Sequence, residues 1–524
     1  MWCVRPIPLK VPLPSATNPS FDAIVIGAGH NGLIAAAYLG RAGRRVLVVE
    51  KRELIGGCCV TEETWPGFRV NTAAYLVSLL QPQIIEDLEL ARHGYAVLPK
   101  DPAFFSPFPD GRCLFMWQDA ARTLAEVAKF SARDAQAFPK YEHNLERIAG
   151  AFASTLMEPP PADIVAALAP KLTAEELKSF EKLLTWSVMD FLDEWFESPE
   201  IKVTLATDGF IGANGGPRSP GTAYILLHHM MGMVGGKRGL WGFVQGGMGA
   251  IPNAIAASAR SYGAEIRVNA SVSRILIKNN EAYGVVLENG EEIAAPLVIS
   301  DLDPPTTYLK LVEKGILPEE FTARIARYRT EGTSMKINLG LNGVPEFRSL
   351  PGGAGPQHRA TIHICPSIEY VEAAWTDAHE GRPSRNPLLE MTIPTMYDPG
   401  LAPRGHHIMG VFLQYAPYTL RDGNWDDLRE TVTERVLDLI EEEIPNLRQI
   451  LVHRQALTPV DLERKFGITG GNIFHGELAL DQMFAARPGY RSPIQSLFLC
   501  GSGTHPGGGV MGACGYNCAR EILG

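Results

Sequence analysis

The chain has 524 residues and a formal charge of −10 at pH 7, because 58 acidic residues outnumber 48 lysines and arginines. This length suggests several domains or one large composite fold, and the negative charge has the wrong sign for a protein that mainly coats nucleic acid. A hydrophobic content of 45% with 20% charged residues predicts a folded, soluble protein that buries a large core.

Residues 1–20 predict a flexible arm. Four prolines before residue 15 deny this segment a helix, and it contains basic residues but no acid. An acid-free basic leader is compatible with organelle targeting, so the mitochondrial matrix remains the alternative to a cytoplasmic location.

The eight cysteines form no disulfide framework and no CxxC pair joined to histidines. A reducing compartment is therefore expected, and no metal site is predicted. The adjacent Cys58 and Cys59 cannot close an ordinary unstrained disulfide and are interpreted as small wall residues. No apolar run reaches the ~20 residues that a membrane-spanning helix needs.

A dinucleotide-binding unit begins the folded part of the chain. Its glycines allow a tight turn and a close approach of the backbone to a pyrophosphate, which then lies at the positive end of a helix. The order of strand, glycines, helix, strand and acid is what makes the pattern specific. In chain order the unit comprises a strand over 22–26, the glycines Gly27, Gly29 and Gly32, a helix over 33–39, a strand over 46–49, and Glu50.

Glu50 is suited to accept hydrogen bonds from the ribose of an adenosine. An acid there, followed by Lys51 and Arg52, tolerates a free 2′-hydroxyl and argues against NADP. NAD and FAD both remain open at this point. The consecutive Gly56 and Gly57 suggest a second close approach of the backbone to the cofactor, which favours FAD.

A second glycine-rich stretch, 241–249, precedes a helix predicted over 251–261. It lacks an apolar strand in the right phase and a closing acid, so a separate NAD(P)H site is not predicted there. The segments that follow predict a β-ribbon attached to the first sheet. Strands are expected over 265–268, 272–278, 283–287, 291–294 and 297–300.

The last glycine-dense segment lies between a strand over 496–499 and a helix predicted over 510–523. Such a loop directs helix N–H groups at an electron-rich group, for example the pyrimidine edge of a flavin. Glycine-rich loops of this kind at both ends of the chain favour FAD over NAD.

Three segments, 21–80, 240–302 and 482–524, are therefore predicted to form an FAD-binding domain. The intervening segments, 81–239 and 303–481, lack a phosphate loop. They are predicted to form one substrate domain, in which mixed strands make a floor and helices cover it. The predicted fold class is α/β with an α+β substrate part, and its Rossmann domain is assembled from discontinuous segments.

Five segments carry a family resemblance: AIVIGAGHNGLIAAAYL, VVEKRELIGG, VQGGMGAIPNAIA, NIFHGELALDQMF and LFLCGSGTHPGGGVMGACGYNCAR. Together they resemble the bacterial-type phytoene desaturase group of FAD flavoproteins, which includes desaturase-like carotene ketolases. The resemblance runs from about residue 21 to the end. It implies a glutathione-reductase-type FAD fold with a substrate domain over the face of the flavin.

The resemblance also implies which residues contact FAD. Lys51 is added to this set because it follows Glu50 directly. Cys58 departs from the pattern, since many relatives carry an arginine there, and Asn71-Thr72-Ala73 replaces an acidic Asp-Thr-Gly. The predicted cofactor residues are Gly27, Gly29, Asn31, Gly32, Glu50, Lys51, Gly56, Gly57, Val272, Gly501, Ser502, Gly509, Val510 and Met511.

A lipophilic substrate is expected, because methionine and aromatic side chains adapt to long apolar ligands. Tyr224, Met231 and Phe243 are predicted to line an apolar tunnel that ends at the flavin, with a mouth that contacts a membrane. The wider set of predicted wall residues adds Phe104, Phe105, Met230, Met233 and Trp241.

His505, in the last glycine-rich segment, is the candidate catalytic residue. It could tune the flavin or donate a proton to the substrate, and the alternative is a hydrogen bond to the loop backbone. No other polar side chain is assigned a role in the reaction.

Two functions are kept from these patterns. The first is an FAD-dependent oxidoreductase that acts on an isoprenoid or carotenoid-like substrate by desaturation, ketolation or flavin-assisted isomerisation. Its electron acceptor is left open among oxygen, a quinone and another protein. The second is an FAD-bound regulatory or interaction protein with little turnover.

Overall fold

The computed structural model describes residues 20–524, so the predicted arm lies outside the described residues except for Ser20. The predicted combination of an α/β domain and a mixed-sheet domain is confirmed.

The strands are β1 Ala23–Ile26, β2 Val46–Val49, β3 Thr61–Trp65, β4 Phe68–Asn71, β5 Val97–Pro99, β6 Phe104–Pro107, β7 Cys113–Met116, β8 Met233–Val234, β9 Lys237–Arg238, β10 Gly242–Val244, β11 Glu265–Arg267, β12 Val272–Lys278, β13 Glu281–Leu287, β14 Glu292–Ala294, β15 Val298–Ser300, β16 Ser334–Leu341, β17 Thr361–Ile364, β18 Leu388–Thr392, β19 His407–Gln414, β20 Leu451–Leu457 and β21 Leu497–Leu499.

The helices are α1 His30–Arg41, α2 Pro82–Asp87, α3 Ala120–Ala128, α4 Ala132–Ala153, α5 Ile164–Leu168, α6 Ala174–Thr185, α7 Val188–Asp193, α8 Pro199–Phe210, α9 Ala223–Met230, α10 Ala250–Ser261, α11 Glu319–Ala326, α12 Ile368–His379, α13 Trp425–Glu443, α14 Leu447–Ile450, α15 Pro459–Phe466 and α16 Ala513–Leu523.

The first sheet is parallel, with strand order β11-β2-β1-β15-β21. Its strands come from the beginning, middle and end of the chain. Helices α1, α10 and α16 pack together on one face, and the ribbon β12-β13-β14 packs on the other. Because both faces are covered, β1 and β2 are continuous apolar runs rather than alternating ones.

The second sheet has seven strands in the order β20-β16-β19-β18-β17-β6-β7. The β17–β6 pair is parallel and the other pairs are antiparallel. Helix α13 covers one face through Val436, Leu437 and Ile440. A separate helical core, drawn mainly from α3 to α9, packs beside the sheet.

The start of α16 differs from the sequence prediction. The helix begins at Ala513 rather than at Val510. Val510 and Gly512 have φ values of +58° and +76°. Residues in this left-handed region do not continue a right-handed helix, so the glycine-rich loop extends three residues further than expected.

Within residues 20–524, no helix has both the length and the apolar character needed to cross a bilayer. Within the same residues, no group of three or more His, Cys, Asp or Glu side chains is arranged so that it could hold a metal ion. The seven cysteines of this range are all free thiols.

Candidate flavin site and substrate cavity

A cavity of about 720 Å³ lies between the two sheets. One wall is formed at the carboxyl ends of β1, β2 and β15, where ligands of open parallel sheets bind. The facing wall includes side chains of β16, β18 and β19. The cavity volume falls within the range of about 300–1,000 Å³ that is typical of ligand sites.

The first glycine loop leaves no room for side chains. A Cβ on Gly29 would lie 2.4 Å from Asp301 Oδ2, and a Cβ on Gly32 would lie 2.5 Å from the carbonyl oxygen of Gly27. The second glycine pair packs on this loop, because the Gly56 N–H donates to the Ala28 carbonyl at 2.7 Å. The two predicted backbone approaches are therefore adjacent.

Glu50 directly follows β2 and is 7% exposed. Its two carboxylate oxygens accept hydrogen bonds from the backbone N–H groups of Ala28 and Arg52, each at 2.9 Å. Each oxygen retains a lone pair, so the carboxylate can also accept from ribose hydroxyls.

The C-terminal loop closes the same wall. Asn31 Nδ2 donates to Ser502 Oγ at 3.1 Å, which ties this loop to the start of α1. Gly509 and Val510 line the cavity. Gly509 has a φ of +122°, a conformation that L side chains rarely adopt.

These residues fit an FAD molecule. In the first glycine loop, a Cβ on Gly29 or Gly32 would clash with neighbouring atoms of the protein. The buried Nε2 of His30, on the cavity wall, has no hydrogen-bond partner. Burial lowers the pKa of His30 to about 3, so this nitrogen belongs to a neutral ring. Burial also raises the pKa of Asp301 well above its usual range, which reduces its repulsion of a diphosphate.

The structure brings most of the predicted cofactor residues to this wall. Three others, Gly32, Gly501 and Met511, lie behind this wall. Gly32 and Gly501 allow close packing of the backbone, since a Cβ on Gly501 would lie 2.4 Å from the Asp301 carbonyl oxygen. Met511 is a buried side chain. The residues on the wall are Gly27, Gly29, Asn31, Glu50, Lys51, Gly56, Gly57, Val272, Ser502, Gly509 and Val510.

We expect Glu50→Ala to weaken FAD binding by about 1–3 kcal/mol, the scale of hydrogen bonds to a charged acceptor. FAD dissociation constants from fluorescence titration measure the change. Glu53→Ala is the matched control, because Glu53 is an exposed acid three residues away. An unchanged constant for Glu50→Ala would show that the carboxylate does not hold the ribose.

Backbone N–H groups of the glycine-rich turn at 246–249 form hydrogen bonds within the protein. Three of its backbone N–H groups donate to side chains of the protein, so they are not directed at a phosphate. The pairs are Gly246 with Asp398, Met248 with Asn71, and Gly249 with Thr61.

The predicted substrate residues lie elsewhere, which corrects that part of the sequence analysis. Tyr224 and Met231 are in the helical core. Phe243 is 2% exposed and packs 4.9 Å from the ring of Tyr397. The sequence does not show which face of α9 is turned to the cavity. In the structure, His229 of this helix lines the cavity, whereas Tyr224 does not. Of the wider set, Phe104 and Trp241 line the cavity, whereas Phe105, Met230 and Met233 do not.

His505 also lies outside the cavity wall. Its ring is buried, Nε2 has no hydrogen-bond partner, and burial lowers its pKa to about 4. Its carbonyl oxygen accepts from Tyr490 Oη at 2.9 Å. The ring is thus neutral and is packed behind the glycine loop rather than directed at the substrate space.

A buried group of ionisable side chains faces the flavin wall, and the sequence analysis did not assign it. Paired residues of neighbouring strands place Lys336, Phe412, Glu390 and His363 in one row across β16, β19, β18 and β17. Directly paired residues share a face of the sheet. The sequence feature that could have identified this group is the charged residue inside each of two otherwise apolar strands, SMKINLGL and LLEMT.

Glu390 is held as a carboxylate. Tyr75 Oη donates to Oε1 at 2.6 Å, and His363 Nε2 lies 3.0 Å from Oε2. Burial alone would raise its pKa, but the bonds to His363 and Tyr75 and the charge of Lys100 outweigh burial and lower the pKa to about 2.

Two lysines lie on the same wall. Lys100 Nζ donates to Thr361 Oγ1, whereas Lys336 Nζ is buried without a hydrogen-bond partner. Burial lowers the pKa of Lys100 to about 8 and that of Lys336 to about 7, and the charge of Glu390 opposes both shifts.

Asp208 and His229 complete the wall. Burial raises the pKa of Asp208. His229 Nδ1 lies 2.8 Å from the Asp208 carbonyl oxygen and 2.9 Å from that of Ile225. Carbonyl oxygens only accept, so Nδ1 of His229 carries a proton.

Known proteins match the whole fold. The profile of the family described as "Flavin containing amine oxidoreductase" matches residues 32–523. The chain is 43% identical to the rat (Rattus norvegicus) protein named pyridine nucleotide-disulfide oxidoreductase domain-containing protein 2, over 97% of this chain and 94% of the relative. It is 25% identical to the lycopene-forming phytoene desaturase of Pseudescherichia vulneris, over 93% and 96% of the two chains.

Among solved structures, cyclohexylamine oxidase from Brevibacterium oxydans matches with a TM-score of 0.59 at 18% identity, covering 96% of this chain and 99% of that one. The resemblance seen in the five sequence segments is thus confirmed by relatives that match along nearly the full length. The chain belongs to the family of flavin-containing amine oxidoreductases, and it is an FAD-dependent oxidoreductase.

Proposed function

We propose that the protein acts on a lipophilic substrate of the isoprenoid class, either oxidising it by desaturation or ketolation or isomerising it with the help of the flavin. The observation that carries the proposal is that a glycine-lined cofactor wall directly faces, across one shared cavity, a second wall built by the substrate domain. The name of the phytoene desaturase relative supports the isoprenoid class.

The described residues suit such a reaction by enclosing the substrate. Apolar side chains of Phe104, Ile211, Trp241, Phe412 and Phe474 lie on the cavity wall, and they would exclude water and orient an apolar molecule. A bound flavin supplies the capacity to accept two electrons from a C–H bond.

The test is reduction of the bound flavin. Protein reconstituted to one non-covalent FAD per chain is mixed anaerobically with a panel of isoprenoid substrates, and bleaching of the visible flavin absorbance is followed. Saturable bleaching with a matching oxidised or isomerised product supports the proposal. If FAD binds but no member of the panel bleaches it or is converted, the isoprenoid proposal is wrong and a regulatory role takes its place.

NADH and NADPH are expected to reduce the flavin poorly. The first glycine unit is taken by FAD, and the N–H groups of the turn at 246–249 are bonded to side chains. Stopped-flow absorbance measures the rate with each nucleotide. Fast bleaching that saturates at physiological NADPH would contradict this expectation. Poor reduction by both nucleotides would leave oxygen, a quinone or another protein as the proposed electron acceptors.

A further inference from the structure

The substrate wall of the cavity holds a hydrogen-bond donor and an acceptor that do not bond to each other. We infer that the substrate carries a hydroxyl group at one end of its apolar body, and that Lys100 and Asp208 bind this hydroxyl from two sides. The inference rests on the proposed function, because it adds a recognition group to the same lipophilic substrate.

Asp208 provides the acceptor. It lies in the last turn of α8 and lines the cavity. Within residues 20–524, no hydrogen bond or ion pair ends on its carboxyl oxygens. A carboxyl group has an acceptor oxygen whether it is ionised or protonated. Asp208 is therefore able to accept a hydrogen bond from a hydroxyl group in either state.

The turn that carries Asp208 is fixed by hydrogen bonds to its backbone. The Asp208 carbonyl oxygen accepts from His229 Nδ1 at 2.8 Å. The Phe210 carbonyl oxygen accepts from Gln414 Nε2 at 2.5 Å, and Gln414 Oε1 accepts from the Gly212 N–H at 2.6 Å. These bonds hold the end of α8 in place before a ligand binds, which reduces the entropy cost of binding.

Lys100 provides the donor. It directly follows β5, is 3% exposed and lines the cavity. Its Nζ donates one hydrogen bond, to Thr361 Oγ1. Burial lowers the pKa of Lys100 to about 8, so the group is mainly an ammonium at pH 7. An ammonium has three N–H donors, so two remain for a ligand.

Lys100 and Asp208 interact but are not joined. Burial lowers the pKa of Lys100 and raises that of Asp208, and the charge of each group opposes the shift of the other. In the part of the chain that the structure describes, no ion pair links the two side chains. A hydroxyl oxygen between them accepts from the ammonium, and its proton is donated to the carboxyl group. A hydroxyl is the simplest group that does both.

Other end groups fit this pair less well. A carboxylate would lie beside the carboxyl group of Asp208 and near the ionised Glu390, whereas an ammonium would lie beside Lys100. A hydrocarbon end would leave the buried N–H donors of Lys100 without an acceptor, which is costly. The apolar side chains of Phe104 and Trp241 line the same cavity. This combination fits an alcohol with an apolar body.

Four compounds with the same ten-carbon isoprenoid chain test the inference: geraniol, geranyl methyl ether, geranic acid and geranylamine. Their dissociation constants for the FAD-loaded protein are measured at pH 7 by calorimetry and by the change in the visible flavin spectrum. The methyl ether keeps the acceptor oxygen but loses the O–H donor. We expect geraniol to bind about 10- to 100-fold more tightly than the ether, the range expected for a hydrogen bond to a charged group, and more tightly than the acid and the amine.

Two variants separate the acceptor from the donor. Asp208→Leu keeps a side chain of similar shape, and we expect it to reduce the preference for geraniol over the ether to less than about twofold. Lys100→Met keeps the length of the side chain and removes its donors. We expect it to weaken geraniol and the ether alike, by about 10-fold. A preference caused only by the bulk of the methyl group would survive Asp208→Leu.

Asp422→Leu and Lys278→Met are the matched controls, because Asp422 and Lys278 are exposed and lie outside the cavity. We expect both control proteins to bind FAD and the four compounds like the parent protein. Thermal midpoints show whether each variant is folded. The comparison of the four compounds on the parent protein needs no variant, so it tests the inference even where a substitution prevents folding.

The inference is wrong if geraniol binds no more tightly than its methyl ether, or if geranic acid or geranylamine binds more tightly than geraniol. It is also wrong if a folded Asp208→Leu protein keeps the preference, or if a folded Lys100→Met protein binds geraniol and the ether like the parent. Selective geraniol binding without flavin reduction by any isoprenoid would overturn only the proposed function. Flavin reduction by an isoprenoid hydrocarbon, with equal binding of geraniol and its ether, would overturn only the inference.

Discussion

Gly32→Val is expected to yield a folded protein that binds FAD at least about 100-fold more weakly, from overpacking that costs on the order of 3 kcal/mol. A Cβ at this position would lie 2.5 Å from the carbonyl oxygen of Gly27 and 2.9 Å from Asp301 Cβ. Relief of this clash requires the glycine loop to move away from α1, which displaces the N–H groups that face the diphosphate.

Flavin content after purification and FAD titration of the apoprotein measure this loss. Gly353→Val is the control, since a Cβ on Gly353 meets nothing within 4 Å. Retention of normal FAD affinity by Gly32→Val would contradict the role assigned to the loop.

Glu390→Leu is expected to destabilise the FAD-loaded protein by about 3–5 kcal/mol, the usual cost of removing one partner from a buried charged group. The substitution leaves Tyr75 Oη and His363 Nε2 without their acceptor. It also removes the negative charge that opposes the lowered pKa values of Lys100 and Lys336. Urea unfolding followed by circular dichroism gives the difference, and Glu313→Leu, at an exposed acid, is the control.

This destabilisation should depend on pH in a defined direction. Because the pKa of Glu390 is lowered to about 2, its stabilising contribution is present above the unfolded value of about 4.3 and is lost only as the pH falls through 2. In the variant, Lys100 and Lys336 must stay neutral or remain as unpaired cations. The deficit should therefore grow as the pH is lowered from about 9 to about 6, through the pKa values of about 8 and about 7. A deficit that is constant over this range would show that the lysines are not coupled to Glu390.

The nucleotide side of the fold could be predicted because its signals are local. A strand, three glycines, a helix and Glu50 occupy one continuous stretch, and β1, α1 and β2 lie within a few residues of their predicted positions. The start of α16 could not be placed, because the left-handed conformation of Val510 is imposed by its surroundings and not by its residue type.

The substrate side was less predictable, because its wall is made by residues that are distant in the chain. Tyr224 and Met231 have the composition of a ligand wall but pack in a core, and burial on a helix depends on which face the neighbours cover. Lys336 and Glu390 meet the same cavity only because β16, β19 and β18 pair in a particular register. One charged residue within an apolar strand marks such positions but does not reveal its neighbours.

The contact between Asn31 and Ser502 joins residues that are 471 positions apart. A ribosome adding about 5–20 residues per second needs roughly 20–100 s to synthesise that interval. Throughout this time the first glycine loop has emerged while its opposite wall does not yet exist. The two loops of the cofactor site therefore meet only after nearly the whole chain has been translated, so the complete FAD site forms after synthesis rather than during it.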